Sequence, residues 1–75
     1  MSGHDLAQRY EHLVLAKVAE VSYPSSALLD RAEASLTDGR GAERLASILL
    51  DLVEGTRHPS PQLLGRLDRL MSYLE

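Results

Sequence analysis

The chain contains no cysteine, no phenylalanine and no tryptophan among its 75 residues. Without cysteine it can form neither a disulfide bond nor a thiolate zinc site. A domain of this size buries only about 60% of the surface that its unfolded chain exposes, so it commonly needs a crosslink, a metal or an oligomeric partner. The composition therefore predicts a core built from the fifteen leucines and smaller apolar residues, stabilised by helix packing and by self-association.

Charge of one sign and long apolar runs are also scarce. The net charge is −3, acidic and basic residues are interspersed, and Lys17 is the single lysine. This pattern disfavours nucleic acid and anionic membranes as partners. The apolar runs at residues 13–16 and 48–50 are too short to cross a bilayer, and the first residues lack the features of a secretory signal. We therefore expect a cytoplasmic protein with no membrane partner.

The residues that are present indicate helices. Four segments carry apolar residues at helical spacing, and no segment alternates as a strand would. They predict an all-α fold, a single helical domain over residues 1–75, arranged as a small antiparallel bundle of three longer helices and one short helix. The predicted helices cover residues 5–21, 26–37, 42–54 and 60–75. The turn predicted between the second and third is Asp38-Gly39-Arg40-Gly41, with Gly39 in the left-handed position that follows a helix.

The first predicted helix carries one apolar stripe that we expect to face the core. Ser2, followed by Asp5, resembles a capping box at its start. Leu15 is predicted on the opposite, polar side, either as an ordinary exposed leucine or as a partner contact. Lys17 lies within the stripe, where it either extends its ammonium to water or pairs with a carboxylate of a neighbouring chain. The stripe consists of Leu6, Tyr10, Leu13, Val14, Val18 and Val21.

The third predicted helix is the most apolar of the four. Its apolar residues cover roughly 200° of the helix circumference, which predicts a central position with neighbours on more than one side. These residues are Leu45, Ala46, Ile48, Leu49, Leu50, Leu52 and Val53.

The last predicted helix carries a leucine seam: Leu63, Leu67, Leu70 and Leu74, at spacings of four, three and four. Ser60 and Pro61 form its start signal, and Leu64 and Met71 widen the apolar arc to roughly 120°. The seam either packs inside the chain or is covered by a second molecule. Gly65 costs the helix roughly 1 kcal/mol relative to alanine, which a close backbone approach would explain. The predicted partner interface consists of Leu63, Leu67, Leu70, Leu74, Leu64, Met71, Leu15 and Lys17.

No set of residues points to catalysis. The histidines His4, His12 and His58 lack the spacing of a metal site, and the serines fall mostly at cap, turn or helix-surface positions. No nucleophile motif occurs, and four short helices enclose little volume for a substrate. We therefore expect no enzyme activity, no metal, no cofactor and no small-molecule substrate.

In size, acidity and helix count the chain is similar to acyl carrier proteins. Those proteins carry a modified serine in an Asp-Ser-Leu motif at the start of their second helix. The corresponding residues here are Pro24-Ser25-Ser26-Ala27-Leu28, without the aspartate. The similarity is therefore one of architecture alone, and a carrier function is not predicted.

Two functions remain open from the sequence. The favoured one is a non-catalytic helical protein–protein interaction module, such as an adaptor, small co-chaperone, inhibitor or assembly subunit. Its partner would be another helical protein or a second copy, as in a homodimer, with arginines such as Arg66 and Arg69 at the rim. The alternative is a small DNA-binding regulator resembling a helix-turn-helix, with Arg40 and Arg44 near the recognition end. Carboxylates on the third helix, among them Glu43, oppose that alternative.

Overall fold

The computed structural model describes residues 3–75, which form four α-helices and no strand. Helix α1 spans Gly3–Glu20, α2 spans Ser26–Ser35, α3 spans Gly39–Glu54 and α4 spans Pro61–Leu74. The predicted all-α fold is confirmed. So is the prediction of one short helix, because α2 has 10 residues while the others have 18, 16 and 14. In the described part of the chain, no helix is both long and apolar enough to span a membrane.

Three of the helices begin at a residue that caps them. Ser25, Asp38 and Ser60 each accept a backbone N–H from three residues ahead at 3.1 Å. These bonds satisfy amide groups that have no partner within the first turn. Pro61 follows its cap directly, where the missing N–H costs nothing. The predicted start signal of α4 is confirmed, whereas the predicted cap Ser2 lies outside the described residues.

The connection between α2 and α3 differs from the prediction. Helix α2 ends at Ser35, and α3 begins at Gly39, three residues earlier than expected. No glycine in residues 3–75 has a positive φ, so the predicted left-handed conformation of Gly39 is wrong. The reason is that Asp38 caps α3, which turns the Gly-Arg-Gly sequence into the first helical turn.

Helix α3 is the centre of the fold. It packs against each of the other helices, and α1 also packs against α2. Among the described residues, the close backbone contacts of α4 are with α3 only. The predicted central position of α3 is therefore confirmed. The molecule measures 44 × 27 × 17 Å. It is therefore flatter than a four-helix bundle in which every helix packs equally against two neighbouring helices.

The hydrophobic core draws on all four helices. Leu15, Val18, Leu45 and Leu49 are its largest fully buried side chains. Seven further apolar side chains pack half-buried against the core and extend it along α2, α3 and α4: Leu28, Leu36, Ile48, Leu52, Leu63, Leu67 and Leu74.

Candidate interaction surfaces

Helix α1 faces the core with a side that coincides with the predicted stripe only at Val14 and Val18, which are buried as predicted. Its buried residues are Glu11, Val14, Leu15 and Val18. Four members of the predicted core stripe are instead exposed: Leu6 by 53%, Tyr10 by 46%, Leu13 by 55% and Val21 by 39%. Together with Lys17, the first three of these residues lie on one side of α1, and Val21, the first residue after its end, continues the same spacing, so that all five fall within an arc of roughly 80°. We call Leu6, Tyr10, Leu13, Lys17 and Val21 the α1 outer face.

The predicted position of Leu15 on the polar side is wrong. Its side chain is 1% exposed and is among the largest that the core buries completely. Helix α1 packs against both α2 and α3, so its buried side extends from Val14 around to Leu15, about 100° along the helical wheel. Leu15 therefore belongs to the core of this chain.

Lys17 lies on the α1 outer face and is not enclosed by the fold. Its side chain is 61% exposed, and its Nζ lies 3.8 Å from Oε2 of Glu20, one turn further along the helix. An exposed pair at this separation contributes at most about 1 kcal/mol. Lys17 is thus available to a partner, and its pairing with a neighbouring chain stays a prediction.

The leucine seam of α4 packs mainly within the chain. Leu70 is buried, and Leu63, Leu67 and Leu74 are half-buried against the core. The two residues that widen the seam lie outside, with Leu64 exposed by 39% and Met71 by 51%. We call Leu64 and Met71 the α4 flank. A partner on α4 would meet the flank first and the half-buried leucines at its edge.

Arg66 joins α4 to α2, and its expected place on an exposed rim is wrong. Its guanidinium pairs with Asp30, with Nη2 2.8 Å from Oδ1, and donates from Nη1 to Oε2 of Glu33. Arg69 completes the group by donating to the other Glu33 oxygen at 3.2 Å. The Arg66 side chain is buried, and both carboxylates lie against its guanidinium. Arg69 alone of the two arginines remains exposed.

The protonation of Arg66 follows from this environment. Burial opposes its charge, but hydrogen bonds and attraction from Asp30 and Glu33 outweigh burial and raise the pKa of Arg66 above its usual value. A raised pKa in the folded state means that the resulting stability is present at every pH below the usual arginine range. It would be lost only as the pH rises through the folded-state pKa.

Glu11 is a buried carboxylate that the sequence patterns do not single out. It accepts the backbone N–H of Thr37 at 2.6 Å and contacts the Thr37 hydroxyl at 3.2 and 3.3 Å. It also lies against Gly41 in the first turn of α3. One sequence signal could have found it, because Glu11 shares the helical register of Val14, Leu15 and Val18. Beside it, Arg44 and His12 form an exposed contact of 3.1 Å.

The described part of the chain carries several surface clefts. A cleft of about 270 Å³ lies between α2, the α3–α4 connection and α4, with Leu29, Leu52, Leu63 and Arg66 in its lining. A second cleft of about 360 Å³ lies between α1 and the start of α3, and another reaches about 490 Å³, so the clefts overlap in size with the 300–1,000 Å³ that is usual for small-molecule sites. In the first cleft the Arg66 guanidinium is already engaged by Asp30 and Glu33. Within residues 3–75, no group of three or more His, Asp or Glu side chains could hold a metal ion.

Comparison with known proteins gives no relative from which a role could be transferred. No protein-family model, no curated protein and no solved structure matches the chain.

Proposed function

We propose that the protein is a non-catalytic helical interaction module that docks onto a second helical protein or a second copy of itself. The observation that carries this proposal is the row of large apolar side chains on the α1 outer face. Leu6, Tyr10 and Leu13 are each about half exposed and lie on successive turns of one helix. Covering a fully exposed side chain of this size is worth about 1.5–3 kcal/mol, so each of these would recover about half of that.

The α4 flank supplies a second surface for the same function. Leu64 and Met71 are separated by two turns on one side of α4, next to the half-buried Leu67. Leu15 and Leu70 are buried and have little surface left for a partner to contact. The proposed interface therefore omits these two residues of the predicted partner interface and keeps its exposed members. The proposal has three further parts. The helices are arranged antiparallel, the protein is cytoplasmic, and it acts as an adaptor, co-chaperone, inhibitor or assembly subunit.

The helix-turn-helix alternative has less support. Arg40 and Arg44 are exposed near the start of α3, but Arg44 already contacts His12. The outward side of α3 also presents Glu43 and Asp51, whose carboxylates would face phosphate groups. Retardation of a DNA duplex by the protein, weakening steeply with salt, would be the result that favours this alternative over protein binding.

The experiment that tests the proposal is the absolute mass of the protein in solution. Light scattering after size exclusion, over a hundredfold range of concentration, would detect a dimer or a higher species. A concentration-dependent dimer supports the proposed self-association. A monomer at every concentration contradicts it and leaves docking to a different helical protein as the remaining form of the proposal.

A further inference from the structure

We propose that the occupant of the α1 outer face is the same face of a second copy, with the two α1 helices antiparallel about a two-fold axis between residues 13 and 14. The inference rests on the proposed function and names its partner and surface. In such an isologous pair, each residue meets a residue at the mirrored position of the other copy. The sequence and the exposure of the α1 outer face can therefore be checked against this symmetry.

The spacing of the α1 outer face has the required symmetry. Leu6 and Val21 lie equally far on either side of the midpoint between residues 13 and 14, and so do Tyr10 and Lys17. An antiparallel pairing about that midpoint places Leu6 opposite Val21 of the second copy at both ends. It places Leu13 at the axis, beside Leu13 of the second copy. Every large apolar residue of the face thus meets an apolar counterpart, apart from Tyr10.

Tyr10 and Lys17 decide the direction of the pairing. In the antiparallel arrangement, the Lys17 ammonium of one copy lies near the Tyr10 ring of the other, which is a cation–π contact, and the lysine stem covers apolar surface. Both side chains are available for this, because Tyr10 is 46% exposed and Lys17 is 61% exposed, with the exposed Glu20 as its ion-pair partner among the described residues. A parallel pairing would instead place the two Lys17 ammonium groups together, which is unfavourable.

The length of the face limits the area of the interface. Helix α1 has 18 residues and is therefore about 27 Å long. One helix face of this length gives an interface at the low end of the usual range of buried area. Since area does not fix affinity, the experiments must cover a wide range of protein concentration.

The absence of native cysteine allows the pairing to be tested by crosslinking. Leu6→Cys protein mixed with Val21→Cys protein is expected to form a disulfide-linked dimer on mild oxidation. Leu6→Cys protein alone is not expected to do so, because its two cysteines would lie about 22 Å apart along the paired helices. Leu6→Cys mixed with Ser72→Cys, which places the second thiol on α4, is the matched control. Efficient crosslinking of Leu6→Cys with itself would overturn the antiparallel arrangement.

Light scattering on three charge substitutions separates this inference from the proposed function. Leu13→Asp places two carboxylates at the axis and is expected to raise the dissociation constant at least about a hundredfold. Ser47→Asp introduces the same charge at an exposed position of α3, outside both candidate surfaces, and is expected to leave the constant unchanged. Met71→Asp tests the α4 flank as the competing surface, and circular dichroism confirms that the variants stay helical. A dimer lost with Met71→Asp but kept with Leu13→Asp would overturn this inference and retain the proposed self-association. A wild-type monomer at every concentration would overturn both.

Discussion

The carboxylate of Glu11 lies in the space that a β-carbon at position 41 would occupy. A β-carbon built on Gly41 would fall closer to the Glu11 carboxylate than van der Waals contact allows. The same carboxylate accepts the N–H of Thr37 at 2.6 Å, so it joins α1 to the α2–α3 connection and to the start of α3. The first turn of a helix carries a partial positive charge, which favours an anion there. A β-carbon at position 41 would therefore have to displace the Glu11 carboxylate, although the backbone conformation there is ordinary.

Replacement of this glycine is expected to weaken the fold. In Gly41→Ala the new methyl group would push the buried Glu11 carboxylate away from the half-buried N–H of Thr37, and the carboxylate would lose this partner. Such a loss costs about 1–3 kcal/mol, against a gain in helix propensity of up to about 1 kcal/mol. We expect a net decrease in the free energy of unfolding, measured by urea titration followed by circular dichroism.

Gly39→Ala is the matched control for that substitution. It lies two residues earlier in the same helical turn, and a β-carbon there would meet nothing within 4 Å. We expect its stability to equal that of the wild type or to exceed it by up to about 1 kcal/mol. Equal behaviour of the two alanine variants would contradict the packing role of Gly41. In a Glu11→Ala background, Gly41→Ala should no longer destabilise.

Removing the Arg66 guanidinium is expected to loosen α4 from α2. Arg66→Met keeps an unbranched apolar stem but removes the guanidinium, which leaves Glu33 with Arg69 as its remaining partner. Loss of one partner of a fully buried pair costs about 3–5 kcal/mol, but Asp30 is 70% exposed, so we expect a smaller loss of about 1–3 kcal/mol. Arg69→Met removes an exposed arginine from the same group and should cost less than about 1 kcal/mol. Equal losses from both variants in thermal unfolding would argue against the central role of Arg66.

Gly65→Ala is expected to stabilise the protein. Gly65 lies inside α4, and a β-carbon there would meet nothing within 4 Å, so the close backbone approach considered from the sequence is absent. Alanine should therefore gain about 0.5–1 kcal/mol from helix propensity and from reduced freedom of the unfolded chain. A rise in the urea midpoint at unchanged slope would agree with this expectation. A fall in the urea midpoint would contradict it and would show that Gly65 lies in a contact with a second molecule.

Aspartate substitutions at two neighbouring apolar residues of α4 are expected to differ greatly in their effect on stability. Leu70 is buried and belongs to the core, so Leu70→Asp would bury an unpaired charge and is expected to unfold the chain. Met71 is 51% exposed, so Met71→Asp should change the free energy of unfolding by less than about 1 kcal/mol. Circular dichroism at 222 nm and thermal melting would compare them. A folded, monomeric Leu70→Asp protein would indicate that the seam serves an interface and not the core.

The helices themselves could be predicted from the sequence, because their signals are local. Ser25 and Ser60 cap helices through bonds to the third residue ahead, and α3 is apolar enough to require a central place whatever surrounds it. The exposed members of the candidate surface, Leu64, Met71 and Lys17, were also named from the α4 and α1 patterns. These features depend on residues within one or two turns of each other.

The direction in which α1 faces was decided only by the tertiary structure. The predicted stripe of α1 is wide, and periodicity alone does not tell which of its edges faces the core. The edge with Val14 and Val18 is buried as predicted, and the buried side continues to Leu15, because α2 and α3 both pack there. On the same side Glu11 accepts the N–H of Thr37, and a contact between residues 26 positions apart leaves no periodic signal. The other edge of the stripe stays exposed on the outside of the fold.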